Sequence, residues 1–331
     1  MLNRSLVISL VLVFSLTIIA SASVFIFTKM FASPGDLSEE TIFIVPQGAS
    51  VKSIGKLLEI KGIVNKSLVF VWGVRGFGDS LPLIAGEYLV PPRVSPLDTM
   101  RILQSGKVVI HKLTIPEGLT THQIIELVNA ADGLIGKLPP YLYLKEGAFL
   151  PETYQYIRGE GRKETLLRMQ KSMTKTLNDL WEKRSPLSSI LNTSYEALIL
   201  ASIVERETSQ PKERPKVAAV FLNRLKRGMK LQSDSTVIYG LSNQKGFLGR
   251  SLTKSDILSK NPYNSYIHYD LPPGPISNPG RDSLVAAMNP SKTKDLYFVA
   301  NGLGGHTFSI TLKEHNKNVA RWRHIQEQNK Q

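Results

Sequence analysis

Two carboxylates, Glu205 and Glu207, close an apolar run in the stretch YEALILASIVERETS at 195–209. A carboxyl in apolar surroundings has a raised pKa and can hold a proton near neutral pH, which is what a general acid needs. The run reads as a helix: Thr193 and Glu196 form a capping box, and Ala197–Ala201 is apolar nearly all round. On helical spacing Glu205 shares a face with Leu198, Ala201 and Ser202 and is expected to be partly buried. Glu207 points about 200° away around the axis, so it is expected in solvent and in a structural role. The plain alternative is a helix end carrying two exposed acids.

Other polar residues lie where they could meet a ligand. Gln232 and Asp234 precede a short helix, which Ser233 or Asp234 would cap. The segment NPYNSYIHYDLPPGPISNPG, 261–280, holds five prolines and three tyrosines, a stiff loop with flat hydrogen-bonding surfaces suited to sugar rings. Tyr263, Asn264 and Tyr266 are its candidates, although Asn264 could equally hold the loop together. Glu152 lies in a loop, in LPETY. His306, Glu314 and His315 fall at a turn and a capping box, where a structural role is expected. With no cysteine and six scattered histidines lacking an HExxH pattern, thiol chemistry is excluded and neither a metal site nor a cofactor is expected.

The elements that position these residues sit in a chain of 331 residues, 42% hydrophobic and 21% charged, which is globular composition. A net charge of +14 attracts polyanions: nucleic acid, anionic lipid or a wall glycan. No nucleic-acid recognition motif accompanies it, so nucleic acid is not expected as a partner. Ser5–Thr28 is uncharged and rich in Leu, Val, Ile and Phe, long enough to span a hydrocarbon layer of about 30 Å. Arg4 before it points to a cytoplasmic N-terminus with the rest of the chain outside. The apolar run continues past Ala20-Ser21-Ala22, which favours a retained anchor over a cleaved signal peptide.

A unit then occurs twice. Ile44-Val45-Pro46-Gln47-Gly48-Ala49-Ser50 is echoed by Thr114-Ile115-Pro116-Glu117-Gly118-Leu119-Thr120. Each reads as a strand, a glycine turn and a helix capped by Ser50 or Thr120. The first copy looks like the LysM pattern of glycan-binding modules; its plain alternative is a spacer domain. Helices are expected near 67–74, 95–104, 163–183, 213–227 and 278–287, and a hairpin at 296–310. The fold class is α+β, divided as an anchor at 1–31, a linker at 32–40, a LysM-like α+β domain at 41–113 and a mainly helical domain at 114–331.

Across ALILASIVERET, KVAAVFLNRLKRGMKLQSDSTVIYG, PYNSY, LPPGPISNPGRDSLVAAMNP and HTFSITLKEHN the sequence resembles the endolytic murein transglycosylases, the YceG-like family. The resemblance covers nearly the whole chain; Ser265 stands where many relatives carry Thr. It implies a single-pass enzyme of the cytoplasmic membrane with its catalytic domain on the outer side. The enzyme would cut peptidoglycan strands between N-acetylmuramic acid and N-acetylglucosamine to leave 1,6-anhydro ends, near the glycan synthases. It places the catalytic glutamate on Glu205. Glu152, Gln232, Asp234, Tyr263, Asn264 and Tyr266 are then hypothetical saccharide contacts.

Lytic transglycosylation needs one carboxyl, which protonates the glycosidic oxygen and then takes the proton of the sugar's own 6-hydroxyl. Hydrolases use two, about 5–5.5 Å or 6.5–9.5 Å apart. The competing readings are a muramidase-type hydrolase pairing Glu205 with Glu152 or Asp234, and a non-catalytic membrane-tethered glycan scaffold.

Overall fold

The structure is a computed structural model that describes residues 4–79, 81–138 and 144–328. It divides into two compact units, one running to His111 with Ile157–Gly159, the other comprising 112–156 and the chain from Glu160 onward.

The first unit begins with helix α1 (Arg4–Ala32), whose side chains are exposed until its last turns, where Phe31 is buried. Strand β1 (Thr41–Val45), helices α2 (Val51–Ile60) and α3 (Ser67–Phe77), and strand β2 (Gly86–Val90) follow, then α4 (Pro96–Ser105). β1 and β2 pair antiparallel with Phe43 opposite Tyr88. Side chains alternate across a strand, so Phe43 and Val45 reach the core while Ile42 and Ile44 face out. Ile54, Leu58, Phe70, Tyr88 and Leu103 complete that core, and Phe31 belongs to it. Phe31 fits because residue 73 is glycine; a Cβ there would lie 2.1 Å from its ring. The caps follow the sequence: Ser50 accepts from the Ser53 N–H, and Ser95 from Asp98 with Pro96 in the first turn.

Strand β3 (Ile110–Thr114), helix α5 (Thr121–Ala130) and strand β4 (Thr153–Ile157) come next, β3 and β4 forming a two-stranded sheet. α5 carries the full capping box of Thr120 and Gln123. The helical body of the second unit is α6 (Arg162–Glu182), α7 (Ser194–Glu207), α8 (Arg214–Lys226), α9 (Asp234–Leu241), the short α10 (Lys254–Ile257) and α11 (Arg281–Met288). Hairpin β5 (Tyr297–Ala300) and β6 (His306–Ser309), and helix α12 (Leu312–Gln328), close it.

α7 is the centre of this unit. Its residues Ala197–Val204 are all buried, against Val217 and Phe221 of α8 and Leu284 and Ala287 of α11. Complete burial of one such aliphatic side chain is worth about 1.5–3 kcal/mol before entropy costs, so α7 is held rigidly up to its last turn. Its N-terminus differs from the expected box. Thr193 accepts from the Glu196 N–H, but the Glu196 carboxylate reaches the N–H of Asn192 rather than closing on the cap.

Candidate active site

The last turn of α7 sends its two carboxylates to different surroundings. Glu205 turns inward, with its side chain 4% exposed. Its Oε1 accepts from Arg214 Nη2 at 2.9 Å and its Oε2 from the Gly280 N–H at 2.9 Å. The same Arg214 nitrogen also reaches Glu117, from the second glycine turn, at 2.9 Å. Gly280 allows this close approach, since a Cβ there would collide with the Glu117 carboxylate. Burial pushes the Glu205 carboxyl up, while the Gly280 N–H and the Arg214 charge pull it back. Both its oxygens are thus committed, one of them to a buried cation.

Glu207 turns the other way and lines a cleft of ≈ 480 Å³ together with Arg224, Gln232, Asp234, Tyr266 and Trp322. Its Oε1 accepts from the hydroxyls of Ser233 and Ser235. Both bonds fall on one oxygen, which leaves Oε2 for a proton. Burial raises its pKa; the serine hydroxyls lower it, Asp234 raises it further, and His306 lowers it. No cation is bonded to it among the described residues.

Three of the sequence candidates therefore gather around Glu207. Asp234 accepts the Tyr266 hydroxyl at 2.6 Å. Gln232 has a left-handed backbone, φ +53°, and its side-chain oxygen accepts from Arg224. Left-handed non-glycine residues are costly and concentrate where a site dictates the backbone. Ser233 does not cap α9 as expected from sequence; its hydroxyl is given to Glu207 instead.

The other candidates do not meet there. Asn264 is fully buried, donating to the carbonyls of Ile257 and Ser259 and accepting from the Tyr266 N–H, so it holds the loop and has no face for a sugar. Glu152 is exposed beside β4 and lines neither this cleft nor the next. Tyr263 lines a second cleft of ≈ 540 Å³ with Tyr195, Tyr239, Pro273 and the buried Glu146. Glu146 accepts from Thr121, Gly147, Tyr239 and Asn278; burial pushes it up to about 7 against those bonds.

Arg224, Ser235 and Glu146 escaped the sequence reading, and Glu207, expected in solvent and in a structural role, is instead buried against Ser233 and Ser235 at the edge of the cleft. For Glu207 the usable signal was position: it lies one turn beyond the end of the buried run, where a side chain can still reach solvent. His306 is not idle either, since Glu213 accepts its backbone N–H at 2.8 Å and meets its Nδ1 at 2.7 Å.

A family model for the YceG-like family matches residues 43–321, most of the chain. This protein belongs to the YceG-like family. Among curated proteins it is 30% identical over 325 residues to an endolytic murein transglycosylase of Bacillus subtilis, covering 88% of each chain. It is 29% identical over 322 residues to one of Streptococcus pneumoniae, covering 83% of this chain but 57% of that relative. The chain thus spans little more than half the length of the pneumococcal relative. A crystal structure of a putative YceG-like protein from Listeria monocytogenes matches with a TM-score of 0.51 at 30% identity, covering 85% of this chain and 99% of that one. The YceG-like match includes both glutamates of the α7 turn, so family membership does not by itself choose between them.

Proposed function

We propose that this YceG-like chain is an endolytic murein transglycosylase with Glu207 as its acid and base. The observation that carries the reading is a carboxyl raised by burial, bonded to no cation among the described residues and open to a cleft beside Gln232, Asp234 and Tyr266. Relatives named endolytic murein transglycosylase supply the substrate class.

In the proposed reaction, protonated Glu207 gives its Oε2 proton to the glycosidic oxygen between N-acetylmuramic acid and N-acetylglucosamine. The C1–O bond breaks as charge develops on the muramyl ring. The Glu207 carboxylate then takes the proton of the ring's own 6-hydroxyl, whose oxygen bonds C1 to close the 1,6-anhydro bridge. No water is consumed, and Glu207 ends protonated. Ser233 and Ser235 hold Oε1 so that Oε2 faces the bond. Gln232, its oxygen taken by Arg224, offers its amide nitrogen to a substrate carbonyl, and the Tyr266–Asp234 pair offers an aromatic face and acceptors.

Glu205, the acid expected from sequence, is the second reading, favoured by its own raised pKa. Its sealed position and bond to Arg214 make it the weaker choice. A hydrolase pairing Glu207 with Asp234 is a further alternative, because both line one cleft; engagement of Asp234 by Tyr266 argues for a binding role instead.

The membrane side of the reading rests on α1, the candidate span among the described residues, with mean hydropathy 2.6. We take it as a retained anchor with the catalytic unit on the outer face of the cytoplasmic membrane, near the glycan synthases. The β1-α2-α3-β2 unit would then be a LysM-like glycan-binding module.

The test is incubation of the purified chain with peptidoglycan strands and mass spectrometry of the products. Ends lighter by one water than reducing ends support lytic cleavage. Ordinary reducing ends would establish the hydrolase, and binding without shortening the scaffold.

A further inference from the structure

Helices α1 and α3 are locked together inside the first unit by three phenylalanines. Phe31 is 2% exposed, Gly73 lies against its ring, and Phe77 stacks on Phe31 at 5.9 Å and on Phe27 at 6.4 Å. The order of these contacts is antiparallel. Gly73 meets Phe31, and Phe77, one turn later on α3, reaches Phe27, one turn earlier on α1. The C-terminal end of α3 therefore runs back along α1 toward its uncharged stretch.

That stretch, Ser5–Thr28, is about 36 Å long as a helix, against a hydrocarbon layer of about 30 Å. Phe27 and Phe31 then fall at its outer edge, in the headgroup layer, and the end of α3 lies level with them. What α3 exposes at this level is unusual for a surface facing water. Trp72 is 60% exposed, Phe77 44% and Leu81, in the turn that follows, 57%. Arg75 lies over the Trp72 ring at 5.7 Å, with Lys29 on the adjoining turn of α1. Tryptophan with basic neighbours is the composition of a membrane interface. Leu81 is also tied in place: Gln104 donates to the carbonyls of Gly78 and Leu81, and the Leu81 N–H donates to the Gly78 carbonyl.

We propose that the end of α3 carrying Trp72, Arg75 and Phe77, with Leu81 just beyond it, lies in the headgroup layer of the membrane that α1 spans, seating the first unit on an anionic lipid surface. This rests on reading α1 as a retained anchor. It goes beyond that reading by making the unit a second, monotopic contact in place of a domain swinging on a flexible stalk. Continuity with the apolar helix is what selects lipid as the occupant, and the arginine and lysine select anionic headgroups.

The test uses the full chain in vesicles of phosphatidylcholine and phosphatidylglycerol whose acyl chains are brominated either near the headgroup or near the methyl end. The difference between wild type and Trp72→Phe isolates the emission of Trp72. Loss of that emission with shallow bromines and not with deep ones, at every protein-to-lipid ratio, is the expected result. Retention of the emission with both lipids overturns the proposal, as does a loss seen only at high protein density, which would mark a face covered by a second copy. A Phe14→Trp probe in mid-span separates the two readings. If it is quenched by deep bromines while Trp72 is not, the anchor stands and the seat fails; if it is not quenched, the anchor itself fails.

Discussion

The inner and outer faces of the last turn of α7 carry the same functional group and differ in everything that decides its chemistry. On the inner face Glu205 is sealed under the Gly280 backbone and bonded to a buried arginine. On the outer face Glu207, among the described residues, accepts from two neutral hydroxyls and opens on a cleft. Burial raises both pKa values. A raised pKa alone therefore does not mark a general acid; it must come with a free oxygen and room for a substrate.

The sharpest way to break the comparison is to neutralise each carboxyl in turn. Glu207→Gln is expected to lower strand cleavage by about 10²–10⁴-fold, the usual contribution of a general acid, while the melting curve stays close to wild type. Glu205→Gln should act the other way, through stability. It leaves Arg214, 6% exposed, without its buried partner, and breaking such a pair costs about 3–5 kcal/mol, softened here by Glu117. Denaturant unfolding of the two variants beside product assays decides it. A stable, inactive Glu205→Gln and an active Glu207→Gln would reverse the assignment.

A second substitution sharpens the inner face. In Glu205→Gln with Arg214→Met neither charge of the buried pair remains, and Glu117, 42% exposed, is left to solvent, so about half or more of the lost stability should return. If the double variant is as unstable as the two losses added together, the pair is not a coupled unit.

Glu146, bonded by hydroxyls and amides, offers a third setting for a buried carboxyl. Its pKa rises from the ordinary 4.5 to about 7 on folding. Between those values the folded chain binds more protons than the unfolded one, so stability is greatest below pH 4.5 and falls as pH climbs through about 7. The full contribution is about 3 kcal/mol, and urea midpoints followed from pH 5 to pH 8 should decline accordingly. In Glu146→Gln that decline should flatten; an unchanged slope would place the titrating group elsewhere.

The smallest effect concerns the hydroxyls on Glu207. They stabilise its charged form, so Ser233→Ala with Ser235→Ala should raise its pKa further. Cleavage is lost as pH rises through that pKa, so the basic limb of the pH–rate profile should move to higher pH. A limb that stays in place would separate Glu207 from the titration that controls the rate.

Much of the fold was legible because it is written in local signals. The uncharged run gave α1, Pro96 and Gly106 bracket α4, and the apolar periodicity of 166–180 gave α6. Gln232, Asp234 and Tyr266 were legible as polar residues beside turns and aromatics. Tyr263 and Asn264 share the same loop and the same composition, yet one faces another cleft and the other faces no cleft, because a loop's side chains point where its tertiary contacts turn them. The choice of Glu205 rested on the family resemblance, with its apolar neighbours on the helix in agreement. Those neighbours mark the face turned to the core, where Arg214 and Gly280 were waiting.

The sequence by itself determined that α7 would be buried along its length and would end in two carboxylates about 200° apart, since helix geometry fixes both. Only the tertiary structure decided which of the two keeps a free oxygen. Arg214 and Gly280 reach Glu205 from α8 and the start of α11, and Glu117 of the second glycine turn shares that arginine. Ser233 and Ser235 reach Glu207 from the start of α9. No spacing along the chain encodes these meetings. They arise when four separate segments close around one helix, and the cleft is where that closure leaves room.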